Sequence, residues 1–216
     1  MATALARLEI LALDCQATGA SPGGQLLEVG WARSTAAAPV NSGIESHVVA
    51  PDGPPRLPRR VRELTGLTVR ELKAAPPRER IGARLAAVVQ ETGGGRPWVG
   101  VAHFARFEEP YLRALLSAGD ALPFELLCTH ELARRLLPSL PRRGLRAVAG
   151  YFGHGVPELR RTRPHVAATL LIWRGLVSLL EERGVRDLEA LRAWLARTTP
   201  RRAPRSYPME SRIRLD

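Results

Sequence analysis

Arginine dominates the groups that could do chemistry in this sequence, and what a guanidinium does well is hold phosphate. Clusters fall at Arg59-Arg60-Val61-Arg62, at Arg142-Arg143 with Arg146, at Arg160-Arg161-Thr162-Arg163, and at Arg201-Arg202 with Arg205. The planar fork of N–H donors meets phosphate oxygens two at a time. Phe104 and Phe107, just after His103, add rings on which an unpaired base could stack. The charge balance agrees: 32 Lys plus Arg against 21 Asp plus Glu leaves +11, with a pI near 11.2. A coding bias towards arginine explains why Lys73 is the one lysine, but not the excess of cations. The implied partner is a polyanion, nucleic acid foremost. Cys15 and Cys128, the only two cysteines, can build neither a disulfide framework nor a Cys-rich zinc site.

The elements that must carry these groups read as one layered domain. At 216 residues, 45% hydrophobic and 25% charged, the chain has the balance of a globular protein with a sizeable core. No stretch approaches the roughly 18–20 apolar residues that cross a bilayer, so no membrane role is expected. The opening MATALARLEI lacks a secretory pattern, and the expected compartment is the cytosol. Residues 7–13 and 25–33 read as strands joined across turn chemistry at 14–24, and 44–50 as a third strand, a β-meander. Helical spacing then appears at 78–91, 108–118, 130–137, 144–152 and 165–182, with a short buried strand at 97–102. Strands first, then helices around single strands, predict an α/β or α+β domain. A boundary is expected near Arg183-Gly184, dividing a domain at 1–182 from an extension at 183–216. That extension reads as a helix at 185–197 followed by a flexible Arg/Pro-rich tail.

Residues 10–30 resemble the first motif of the DEDDh 3′–5′ exonucleases, the proofreading-subunit and RNase T type. The pattern here is Asp14-Cys15-Gln16-Ala17-Thr18-Gly19, then Leu26-Leu27-Glu28-Val29-Gly30. Leu64-Thr65-Gly66-Leu67-Thr68 resembles that family's Ile-x-Gly-Ile-Thr turn, and Val101-Ala102-His103-Phe104-Ala105-Arg106-Phe107-Glu108 its second motif. Cys128-Thr129 with Leu132-Ala133-Arg134 is similar to its Asp-Thr…Leu-Ala-Arg segment, and residues 160–169 stand in place of its third motif. The ordered match spans about residues 7–182. It implies an RNase H-like α/β fold, a mixed central sheet flanked by helices.

The resemblance also implies a site: four carboxylates holding two divalent metals about 4 Å apart, with a histidine as general base. Of those positions only Asp14 is unchanged. Gln16 replaces a glutamate, Glu108 an aspartate, His165 an aspartate, and Arg160 the base histidine. One unit charge 4 Å from another is worth roughly 4 kcal/mol near a protein surface. Losing two anions should therefore remove several powers of ten in Mg²⁺ affinity, and a guanidinium cannot act as the base. Metal binding by Asp14 and Glu108 is expected to be weak or absent, and no cofactor is expected.

In its constructive form, Arg160, Arg161 or Arg163 would neutralise Asp14 and Glu108 directly and clamp a phosphate. Thr18, Gly19, His103, Phe104, Phe107, Arg160, Arg161 and Arg163 are the expected nucleic-acid contacts. Gly19 and the Gly23-Gly24 pair would also serve a tight hairpin turn. The expected role is binding a 3′ end or single strand within a larger protein or nucleoprotein assembly. One alternative is an active exonuclease using Mg²⁺ or Mn²⁺ at a non-standard site built from Asp14, Gln16, Glu108 and His165. Another is a protein-interaction scaffold that does not bind nucleic acid.

Overall fold

The computed structural model describes residues 3–19, 24–38, 43–54, 57–155 and 160–197. Among them a five-stranded mixed sheet has the order β3-β2-β1-β4-β5. β1 (Glu9–Ala17), β2 (Leu26–Ser34) and β3 (Glu45–Val48) form the expected antiparallel meander. β4 (Trp98–Ala102) lies parallel to β1, and β5 (Leu126–Cys128) parallel to β4. Eight α-helices flank the sheet among the described residues: α1 (Arg59–Thr65), α2 (Val69–Ala74), α3 (Arg78–Glu91), α4 (Ala105–Leu115), α5 (Thr129–Leu136), α6 (Leu145–Tyr151), α7 (Thr162–Glu182) and α8 (Leu188–Arg197). None of the described helices is long and apolar enough to cross a membrane.

The alternation of side chains along β1 divides the core in two. Ile10 and Ala12 join Trp173, Leu176 and Leu180 of α7, with Leu132 of α5 and Val148 of α6. Leu11, Leu13 and Cys15 face the other way, against Ile81 and Leu85 of α3 and Leu112 and Leu115 of α4. Successive strand residues must point to opposite faces, so a strand buried on both faces reads as one apolar run. The run at 7–13 is therefore the centre of the sheet.

Several boundaries differ from the sequence reading, and each difference matters for function. β1 does not stop before Asp14 but runs on to Ala17, held by its pairing with β2, so Asp14 and Gln16 sit on a strand instead of in a turn. α4 begins at Ala105, which places Glu108 in its first turn, and α7 begins at Thr162, which places His165 in its first turn. α1 and α2 were hidden by their short length, although Thr68 and Glu71 form a reciprocal capping box at the start of α2. α8 packs back on the domain: Leu188 and Leu191 join the α7-side core and Ala4 pairs with Asp187. The tail at 198–216 lies outside the described residues.

Candidate functional site

Asp14 and Gln16 share the parity of Ile10 and Ala12, so both face α7. There the first turn of that helix presents His165. Its Nδ1 lies 3.1 Å from Asp14 Oδ1, and the Gln16 amide donates to Asp14 Oδ2 at 3.3 Å. The same amide nitrogen is 3.2 Å from His165 Nδ1, which closes a triangle. Both oxygens of Asp14 thus face nitrogen groups of its neighbours. Asp14 is 5% exposed, and burial pushes its carboxyl up from the usual range while His165 and Gln16 pull it back. His165 and Gln16 therefore both pair with Asp14.

Glu108 reaches the same strand from the other side. β4 ends at Ala102, opposite Leu13, so the Cys15 amide two residues further on has no strand partner there. Glu108 Oε2 takes that amide at 2.7 Å. A buried N–H without an acceptor would be costly, and this carboxylate removes the cost. Burial and the charge of Asp14 push the Glu108 carboxyl well up, and burial with both acids pushes the Cys15 thiol up as well. Cys15 is a buried, inert thiol.

A third buried carboxylate, quoted in the motif but given no role by the sequence reading, holds α7 in place. Glu28 lies opposite Gln16 in the β1–β2 register and is 1% exposed. Its Oε2 accepts from the Thr162 amide at 3.0 Å, and its Oε1 accepts from Ser46 Oγ at 3.0 Å and Arg161 Nε at 2.9 Å. An anion at a helix N-terminus satisfies an orphan donor and meets the positive end of the helix dipole. Arg161 also donates to Glu71 of α2 at 3.1 Å, so its charge is spent on Glu28 and Glu71, not on Asp14 or Glu108. Gly30 permits this contact, because a Cβ there would stand 2.8 Å from Thr162 Oγ1. Arg160, Arg161, Arg163 and Pro164 line an open depression with Glu28 and Ser46, and the stem of Arg160 lies against Gly66.

The remaining candidates separate into scaffold and surface. Thr18 Oγ1 accepts from the Gln25 amide at 2.8 Å and so closes the neck of the β1–β2 hairpin. The Gly19 carbonyl accepts from the Tyr111 hydroxyl. The close approach there falls on Gly24, whose Cβ would collide with that hydroxyl, whereas Gly19 has open space. His103 is buried, with Nδ1 on Thr129 Oγ1 at 2.8 Å and Nε2 on the Arg143 carbonyl at 2.9 Å. Burial lowers its pKa from 6.5 to about 4, so it is a neutral internal brace with both nitrogens committed. Phe107 packs half-buried beside Tyr111, while Phe104 is exposed at the start of α4.

A pair of hard divalent cations needs several free carboxylate oxygens in near-octahedral reach. Here Glu108 Oε2 holds a backbone amide, and both Asp14 oxygens are engaged by Gln16 and His165. Among the described residues, no group of three or more His, Cys, Asp or Glu side chains is placed to hold a metal ion. The donor set does not fit the two-metal arrangement.

No family model and no curated protein sequence matches this chain. Solved structures do match. The nuclease domain of 3'hExo, a DEDDh family member bound to rAMP, superposes with a TM-score of 0.62 at 15% identity, over 81% of this chain and 92% of that one. A 3'-exonuclease in 3'-end specific recognition of a histone mRNA stem-loop gives 0.62 at 15%, covering 81% and 82%. E. coli exonuclease I in complex with a dT13 oligonucleotide gives 0.66 at 16%, over 87% of this chain and 46% of that one. The chain therefore has the RNase H-like fold found in DEDDh exonucleases.

Proposed function

We propose that this protein binds single-stranded nucleic acid, or a 3′ end, along the carboxyl edge of β1 and β4, and that it holds the strand without cutting it. The observation that carries this reading is the state of Asp14: both of its oxygens face N groups of Gln16 and His165, so the acid that would anchor a metal is engaged internally. Arg160 stands where the resemblance calls for a proton-accepting histidine, and a guanidinium does not accept protons at neutral pH. Three things support the binding half of the proposal. The chain carries +11; Arg160 and Arg163 line the open depression beside Glu28 and Ser46 at the start of α7; and proteins of the same fold are seen with rAMP, a dT13 oligonucleotide and an RNA stem-loop. The natural setting is a larger assembly in the cytosol, in which the protein marks or shields an end.

A salt titration tests the binding half. Fluorescence anisotropy with a single-stranded 12-mer should show a log–log slope of about −2 or steeper, which corresponds to three or more phosphate contacts. The same-length duplex should bind more weakly. A flat salt dependence with no preference for single strands would instead mark a scaffold for protein partners.

A further inference from the structure

The cleft described above accounts for backbone phosphate but leaves one aromatic feature unused. Phe104 is 46% exposed, and its backbone is left-handed, with φ 64° and ψ 48°. That conformation is unfavourable for an L-residue with a bulky side chain, so neither burial nor backbone geometry calls for phenylalanine here. The ring stacks on His130 of α5, with centroids 4.2 Å apart and planes 30° apart. His103 meets both rings edge-on, at 4.8 Å from Phe104 and 5.7 Å from His130. Because both His103 nitrogens are bonded, to Thr129 and to the Arg143 carbonyl, the floor of this cluster is fixed.

Strand register sets its place. Leu13, Ala102 and Cys128 lie side by side on the parallel strands β1, β4 and β5. Asp14, His103-Phe104 and Thr129-His130 follow directly at the same edge, about 5 and 10 Å from β1 at ordinary strand spacing. Arg143 brings positive charge near His130: its carbonyl holds His103, its guanidinium rests on the carbonyls of Leu137 and Pro138, and its charge adds to burial in lowering the His130 pKa. An exposed, braced aromatic stack beside a cation suits a flat, apolar-faced ligand that carries a negative charge.

We propose that the Phe104–His130 stack is a base-binding platform that takes one unpaired nucleobase of a strand lying along the carboxyl edge of the sheet. This rests on the nucleic-acid reading above and adds to it a specific subsite for a base, alongside the phosphate contacts proposed for Arg160 and Arg163.

The test is an abasic walk. Single-stranded 12-mers, each with one nucleotide replaced by an abasic analogue at successive positions from the 3′ end, are titrated against the full chain by fluorescence anisotropy. One position should weaken wild-type binding by about five-fold or more, the usual effect of losing a stacked base. Phe104→Asn, which tolerates the left-handed backbone, should bind the intact 12-mer with the same loss and show no further effect at that abasic position. Its melting temperature should be unchanged or higher, which separates a lost contact from a damaged fold. His130→Ala supplies a second variant with the same expected pattern. If the wild type binds the 12-mer but no abasic position matters, or Phe104→Asn binds as tightly as the wild type, the platform is overturned and the phosphate-binding reading stands. If the wild type binds no oligonucleotide, both fall.

Discussion

Asp14 sits almost fully buried with an imidazole and an amide on its two oxygens, and this answers its charge by hydrogen bonding where the resemblance implies ions. The reverse exchange is informative. Gln16→Glu with His165→Asp replaces both partners by anions, and should give Mn²⁺ binding measurable by calorimetry where the wild type gives none. Without metal the same variant should lose roughly 2–4 kcal/mol of stability, since buried like charges are left unpaired. A variant that binds no Mn²⁺ would contradict charge deficit as the factor that governs metal binding here. His103 makes a prediction of a different kind. Its pKa is lowered from 6.5 to about 4, so between those values the unfolded chain binds more protons than the folded one. Stability from this group is complete above about pH 6.5 and is lost as the pH falls towards 4, by up to roughly 3 kcal/mol. Asp14 and Glu108 have raised values and contribute the opposite slope. The clean readout is therefore the stability difference between the wild type and His103→Gln, which should shrink by that amount from pH 7 to pH 4. Sequence placed Asp14, Glu108 and His165 in one site because their motifs come in order. It did not reveal that His103 is internal, because a histidine's two partners here lie 26 and 40 residues away.

At the scale of elements, the site depends on how α7 is seated on β2. Arg161→Ala leaves the Glu28 carboxylate, only 2% exposed at its side chain, with the Thr162 amide and Ser46 as neutral partners. A loss of about 3 kcal/mol in urea unfolding is expected, the usual result of breaking a buried pair from one side. An unchanged midpoint would instead make Arg161 a surface cation. Gly30→Ala forces a methyl group towards Thr162 and should cost about 1–3 kcal/mol, while displacing the first turn of α7 that carries His165. The apolar runs made β1, β2, β4, α3 and α7 legible, since a buried strand and an amphipathic helix leave periodic marks. β5 has three residues and α2 six, too few for a period to show. The extension of β1 through Ala17 was hidden for another reason: polar Asp14, Gln16 and Thr18 read as turn chemistry until β2 pairing is known.

The whole molecule sets a strongly cationic chain on a fold whose sheet gathers Asp14, His103-Phe104 and Thr129-His130 on one edge. Overall architecture was readable because the motifs recur in order over most of the chain. The Glu28–Arg161–Glu71 network was not, since it joins β2, α2 and α7 across 133 and 90 residues, and only folding makes those positions neighbours. Long-range attraction to a polyanion is a property of this scale and should weaken steeply with salt. The decisive measurement combines that attraction with the chemistry at Asp14. A 5′-labelled single-stranded oligonucleotide of DNA, and another of RNA, is incubated with excess protein in Mg²⁺ and then in Mn²⁺, with binding followed in parallel. The account predicts a retarded, full-length strand in every lane. Stepwise shortening from the 3′ end that disappears in Asp14→Ala would contradict it.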